Sequence, residues 1–365
     1  MEDSTERVSR GLKIFFETYF NEMMGGKQGI DKFLFPVVNN DLSANVAMDD
    51  MQFTPHAIAF RDKDQQSQVI PYTPGTGMVY PVPHASAKTP ITEKLRDAVI
   101  VGNEAIASFA ANNGVLIEQI LKQHTTNHAI TAWKAAIDVL RTSIFGAKGL
   151  KGESIGLEIE QSREASLTTT YDFTASGATM DLALKQMYDA GRAQNMPMNN
   201  LVVILGKKWL AQFENDTGVQ KFLEANTANT LLTQSMAPAE LNNTYGLFNT
   251  ARYRARGVVA PMFICAFEAD KPFYQYKGAT AEEFFPEDEA VMFSLSTPRI
   301  RVNRGIDLYN DNKQVVRGVG DILYDDFSQD DPIGYWLRSQ SRYAFLQSDP
   351  NTAVLCTGTF SGDSK

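Results

Sequence analysis

The chain has 365 residues, of which 43% are hydrophobic, 21% charged and 10% aromatic, and it carries a net charge of −9 at pH 7. That balance excludes disorder, collagen-like repeats and a disulfide scaffold, and is too acidic for a protein whose main surface grips nucleic acid or anionic lipid. Two cysteines, Cys265 and Cys356, fit a reducing compartment; with no apolar run of roughly 20 residues and no signal-peptide order at Met1 to Glu6, a soluble protein made inside the cell is expected.

The first predicted element is an amphipathic helix, with Val8, Leu12, Phe15, Phe16, Tyr19, Phe20 and Met23 at helical spacing and Gly25-Gly26 as its stop. An aromatic stripe of this kind must be covered, either by its own domain or by a neighbouring subunit. Residues 46–92 hold six of the 15 prolines, between extended stretches at 57–60 and 68–72. Such strands belong to an edge or an isolated hairpin, and a long hairpin with little core needs a receiving surface. A helix is predicted over 93–110, broken at Asn112-Asn113-Gly114. The strongest helical pattern runs over 115–145, through Ile130, Trp133, Ile137, Leu140 and Ile144 to a C-cap at Gly146. That helix would be about 46 Å long. Its middle, Lys122 to His128, is polar on every side and is expected to lie open or meet a partner.

Ser/Thr-rich extended chain follows, then a helix from Met180 to about Gly191. Leu201-Val202-Val203-Ile204-Leu205 is unbroken and apolar, hence a strand buried on both faces, and a short helix carries Trp209, Leu210 and Phe213. Further strands are expected over 258–267 and 290–301, with a closing hairpin from Tyr335–Leu346 and Thr352–Phe360. Helices and strands mix without regular βαβ alternation, so the fold class is α+β.

Motifs that could carry chemistry do not assemble. Gly152-Glu153-Ser154-Ile155-Gly156 matches a nucleophile elbow, but a polar loop precedes it where a buried strand is needed. All four histidines also lie upstream, against the Ser…Asp…His order. His124 and His128 share a helix face, yet Thr125 stands where a zinc helix has glutamate, so two solvated histidines are expected. Gly206-Lys207-Lys208 lacks the first glycine and the hydroxyl of a phosphate loop. Five aspartates between Asp321 and Asp331 read as a solvated acidic loop. Arg252, Arg254 and Arg256 alternate, as do Arg299 and Arg301, so each set would line one side of an extended chain. In an acidic protein this suggests a salt-bridged subunit contact, with a local polyanion site as the other reading. No catalytic group, cofactor or metal site is expected.

Four segments resemble one family. Thr169-Thr170-Tyr171-Asp172, the helix after it, and Asn199 to Phe213 look like a helix, buried strand and Trp-bearing helix of the tailed-bacteriophage major capsid proteins, in the lambda-type head protein group. Phe285 to Phe293 is similar to that group's proline, acidic turn and hydrophobic strand. Arg299 to Asp307 resembles its basic strand, and Asp331 to Ser341 with Asp349 to Val354 its closing hairpin. Upstream, Tyr72-Thr73-Pro74-Gly75 sits where the group has a Pro-Gly element.

The resemblance implies the Hong Kong 97 capsid fold. Its parts would be an N-terminal arm (1–45), an extended hairpin loop (46–92), and a peripheral domain (93–185) with its spine helix at 115–145. An axial domain (186–320) and a return to the peripheral domain (321–365) complete it. It implies a non-enzymatic shell protein forming hexamers and pentamers of an icosahedral head, located in the virion and assembled in the host cytoplasm. Its partners would be its own copies, a portal, a separate scaffold, a decoration protein and weakly held DNA, with no membrane. Tyr72, Pro74, Phe15 and Phe16 join the five arginines as candidate contact residues. An encapsulin-like cargo shell is the alternative, and a serine hydrolase at Ser154 the remote one. Removing residues 55–90 should leave a foldable core that cannot close shells, as electron microscopy would read out.

Overall fold

The structure is a computed structural model. It describes residues 30–49, 77–91, 109–148, 154–219, 247–267, 283, 285–309, 315–330 and 333–360. In chain order these form α1 (Ile30–Leu34), β1 (Val37–Asp41), β2 (Asn45–Asp49), β3 (Gly77–Pro81) and β4 (His84–Ile91). Next come α2 (Phe109–Thr142), β5 (Ile144–Lys148), β6 (Ser154–Glu160), β7 (Thr168–Asp172), α3 (Met180–Ala193), β8 (Leu201–Leu205) and α4 (Lys207–Asn215). The remainder is β9 (Leu247–Tyr253), β10 (Met262–Phe267), β11 (Glu289–Ser294), β12 (Arg299–Arg304), β13 (Ile306–Tyr309) and β14 (Val315–Gly318). β15 (Leu323–Asp330), β16 (Ile333–Gln347) and β17 (Ala353–Thr359) close the chain. The class is α+β, as the mixed pattern predicts. Phe15, Phe16, Tyr72, Pro74 and the first predicted helix lie outside the described residues.

β8 is apolar at all five positions because both its faces are covered. Val202 and Ile204 enter one core with Ala136, Ile137 and Leu140 of α2 and Phe345 of β16. Leu201, Val203 and Leu205 enter the other, with Ala183, Leu184 and Met187 of α3 and Trp209 of α4. The strand sits inside a six-stranded sheet of order β7-β17-β11-β8-β10-β9. The second large sheet runs β1-β12-β16-β15, with β4 also on β16. The 15-residue β16 joins it together, pairing with β15 and β4 through its first part and β12 through its last.

Three strand expectations are corrected here. β16 and β17 form no hairpin: a short 3-10 turn at Pro350–Thr352 sends the chain from one sheet into the other. The strand predicted over 290–301 is two, β11 and β12, again in different sheets. Most of the acidic run is a strand, β15, rather than a loop: Asp325 within it is matched by Arg338, and Asp321, just before it, by Lys32 and Arg301. β4 lies along β16 over eight pairs, so an excision of 55–90 would strip a built-in strand from the sheet.

α2 has 34 residues and spans about 51 Å. It runs through Asn112-Asn113-Gly114 without the expected break; Gly in a helix costs only about 1 kcal/mol, which a long cooperative helix absorbs. It ends at Ser143, whose φ of 58° is the left-handed cap conformation, while Gly146 lies within β5. Ser143 N donates to Val139 O at 2.8 Å. Arg163 donates to the Arg141 and Leu140 carbonyls at 2.5 and 2.7 Å, a cation at the negative end of the helix.

α4 begins at Gly206, pressed against the turn before β11: an added Cβ would lie 2.2 Å from Pro286 O. Trp209, fully buried, donates from Nε1 to Asp288 O at 2.8 Å on the same turn. Gly206→Ala should therefore lower stability by about 2–3 kcal/mol through forced overpacking, read as a lower urea midpoint at unchanged m-value.

Candidate functional site

β12 is the basic strand of the sequence, and the alternation of Arg299 and Arg301 does place them on one side. Both are buried, however, and both turn inward to α1. Arg299 donates from Nε to Leu34 O at 2.5 Å and from Nη1 to Ser294 O at 3.0 Å, with its guanidinium over the Phe293 ring. Arg301 pairs with Asp31 Oδ2 at 2.5 Å, meets Asn303 Oδ1 at 3.0 Å, and stacks over Tyr343. Arg304 reaches Asn45 O at 2.9 Å. Burial pushes Arg299 down to about 10, which leaves it charged at neutral pH. Asp31 is held above the usual carboxylate range by burial, with Arg301 opposing. Asp321 is held below that range: burial would raise it, but Arg301 and Lys32 prevail. These arginines fasten residues 31–45 to β12 within one protomer, so the expectation that Arg299 and Arg301 face a neighbour is corrected.

A second polar seam lies under the middle of α2. His124, Thr125 and His128 are buried, against the expectation of solvated histidines. They continue the stripe of Leu121, Ala132, Ala136 and Leu140 that faces the sheets, and the facing strands offer hydroxyls rather than methyls. His128 bridges Ser341 Oγ at Nδ1 (2.9 Å) and Ser339 Oγ at Nε2 (3.0 Å), alternate residues on one face of β16. His124 Nε2 lies 2.8 Å from Thr89 Oγ1 of β4, and Thr125 Oγ1 2.5 Å from Tyr324 Oη of β15. Beside them Arg338 clamps the buried Asp325 by donating from Nε to Oδ1 and from Nη2 to Oδ2. Burial pushes His128 down to about 4 and lowers His124 also. Nothing in the sequence of α2 alone announced this seam; the Ser-x-Ser of β16 was its only signal.

The surfaces left open differ in kind. Arg254 and Arg256 are exposed, flanking the buried Tyr253 and Ala255, so their alternation persists past the end of β9. The backbone of Arg252 lies in β9 opposite Phe263. Val259, at 80% exposed, follows in the same loop, and Lys185 of α3 lies against Gly257. β1 shows Val37 and Val38 to solvent along a strand paired only with β12 among the described residues. The β2–β3 pair joins no other strand among them, and Val79 is 66% exposed. Val315 and Val316 of β14 are also exposed.

Ser154 opens β6 at the surface and bonds Glu158 Oε1 at 2.9 Å, with no strand-to-helix elbow around it. Burial pushes the Cys265 thiol up to about 12 and the Cys356 thiol up to about 11. Among the described residues no cluster of His, Cys, Asp or Glu could hold a metal ion, and no helix is long and apolar enough to cross a membrane.

The family model for phage major capsid protein E matches residues 19–357. No curated protein matches the chain. A crystal structure of a chain assigned as the capsid protein of an E. coli CFT073 prophage superposes with a TM-score of 0.61 at 12% identity, covering 94% of this chain and 98% of that one. A phage-related protein of Bordetella bronchiseptica RB50 has a TM-score of 0.46 at 9% identity, covering 90% and 91%. The mature capsid of bacteriophage PhiM1 has a TM-score of 0.41 at 14% identity, covering 88% and 84%.

The histidine seam makes stability depend on acid. The folded chain keeps His128 neutral down to about pH 4, whereas in the unfolded chain it binds a proton near 6.5. Its contribution is complete above that value and is lost as pH falls toward the folded value. Stability should drop by about 2 kcal/mol from this group between pH 7.5 and 5, measured as urea midpoints, and His128→Gln should flatten that slope.

Proposed function

The chain belongs to the phage major capsid protein E family, a shell-forming capsid protein of the virion, and on that premise we propose that its copies form the hexamers and pentamers of an icosahedral tailed-phage head around packaged DNA. The family indicates a structural rather than enzymatic role. The Hong Kong 97-like fold is shared with the prophage capsid protein, and self-assembly into a shell follows from family and fold.

The observation that carries the proposal is the β2–β3 base. It pairs Asn45↔Pro81 through Asp49↔Gly77 and then leaves 27 residues, 50–76, between the two strands. Val46 seats this base in the protomer's own core, but a two-stranded ribbon carried beyond such a base is marginal in water unless a further surface receives it, and a neighbouring copy supplies one. In this reading Tyr72 and Pro74 lie in the extended loop (46–92), and Phe15 and Phe16 in the arm (1–45). The peripheral domain combines 93–185 with 321–365, and the axial domain is 186–320, with β12 and β17 crossing between them. Arg252, Arg254 and Arg256 contact a second copy, whose net charge of −9 offers them carboxylates.

The same net charge supports a wall that holds its DNA weakly. The remaining partners proposed are a portal, a separate scaffold and a decoration protein, with assembly in the host cytoplasm. Electron microscopy of purified particles tests the reading: DNA-filled heads support it, small cargo-loaded shells favour a cellular compartment, and the absence of shells overturns it.

Two variants probe the contacts. Replacing residues 50–76 by Asn-Gly, which closes a two-residue hairpin between paired strands, should preserve the circular dichroism spectrum and abolish closed shells. Arg254→Glu should cut assembly yield at least about tenfold, the effect of roughly 1.4 kcal/mol per contact. It should leave the urea midpoint of the unassembled chain unchanged.

A further inference from the structure

A small cavity lies where α1, α2, β12 and the start of β15 meet, lined by Asp31, Trp133, Arg301, Tyr343 and the small side chains of Ala129 and Ala132. Two of its wall groups have unmet hydrogen-bonding capacity. Asp31 is 2% exposed, and while its Oδ2 takes Arg301, its Oδ1 has no partner in the protein. Trp133 is half-buried, but its Nε1, a donor only, is shut off from solvent and unpaired in the protein. One is an acceptor and the other a donor, so no direct exchange with the existing arginine bond could satisfy both.

We propose that this cavity is a binding site for a single internal water molecule, which accepts from Trp133 Nε1–H and donates to Asp31 Oδ1. The cavity has about 20 Å³ open to water, room for one molecule and too little for a chain of them. The charges select the ligand. The guanidinium of Arg301 in the wall repels a second cation, and Asp31 with Asp321 repels an anion, so a neutral donor and acceptor is what the site accepts. An apolar void of this size would stay dry, but this one is polar at two ends. The water links α1 to the middle of α2 and adds a second tie, beside Arg301, between the start of the chain and the long helix.

The test uses the full chain. A map of the shell or protomer that resolves ordered internal waters should show one peak within about 2.7–3.2 Å of both atoms. In solution, the indole proton of Trp133, assigned by its loss in Trp133→Phe, should show a cross-peak to solvent of the sign given by a long-lived bound water. A map with internal waters elsewhere and none here overturns the proposal, as does a peak with the short multiple oxygen contacts of a metal ion. A Trp133 indole resonance with no solvent cross-peak overturns it equally, while the map reads the unsubstituted chain alone.

Discussion

A buried cation has to be met by an acceptor or the structure that buries it does not persist, and β12 buries three. Arg299, Arg301 and Arg304 find their acceptors at Leu34, Asp31 and Asn45, some 260 residues earlier in the chain. The demand is mutual. α1 has only five residues, too short to be stable alone, and β1 exposes every side chain. β1 has no apolar anchor of its own, whereas α1 seats Phe33 and Leu34 in the core shared with α2 and β16. Together with those two side chains, the guanidiniums fix where the first described part of the chain lies, and with it the parallel register of β1 on β12. Whatever precedes Ile30 leaves from a position set by the far end of the sequence.

The two sheets are tied through shared elements rather than stacked as separate bodies. β8 supplies residues to both cores, and α2 spans from the histidine seam at β16 to the bidentate pair between Arg141 and Glu289 of β11. The bonds at that pair are 2.6 and 2.8 Å, at the end of the helix whose carbonyls Arg163 also serves. A load applied at β4 or β15 thus reaches the six-stranded sheet along a rigid helix about 51 Å long. In a protein whose work is to hold shape in a wall, such coupling is a structural requirement of the protomer.

What was legible in the sequence follows from what is local. The apolar run of β8, the helix from Met180, the Trp-bearing helix and the period of the long helix are all written in neighbouring residues, and each appears. Most of the errors come from partners outside the local stretch of chain. His124 and His128 looked solvated because the serines that satisfy them are more than 200 residues away. Arg299 and Arg301 looked like surface because Asp31 and Leu34 are further still. Asp325 of β15 looked like part of a loop because a strand bearing acids makes sense only with a cation opposite, here Arg338 on β16. The apparent closing hairpin failed for another reason. Turn residues Asp349-Pro350-Asn351 fix a bend but not the sheet into which the chain continues.

The positions of the two cysteines have a consequence beyond folding. Cys265 lies in β10 and Cys356 in β17, on strands separated by β11 and β8 within the six-stranded sheet, and neither side chain reaches the surface. On the assembly site proposed above, a finished particle passes from a reducing compartment into air-saturated water, where exposed thiols would weld adjoining copies at random or bind copper and other soft metals. With both sulfurs sealed inside the sheet, that change of medium leaves the joints between copies chemically as they were made, reversible and free of adventitious crosslinks.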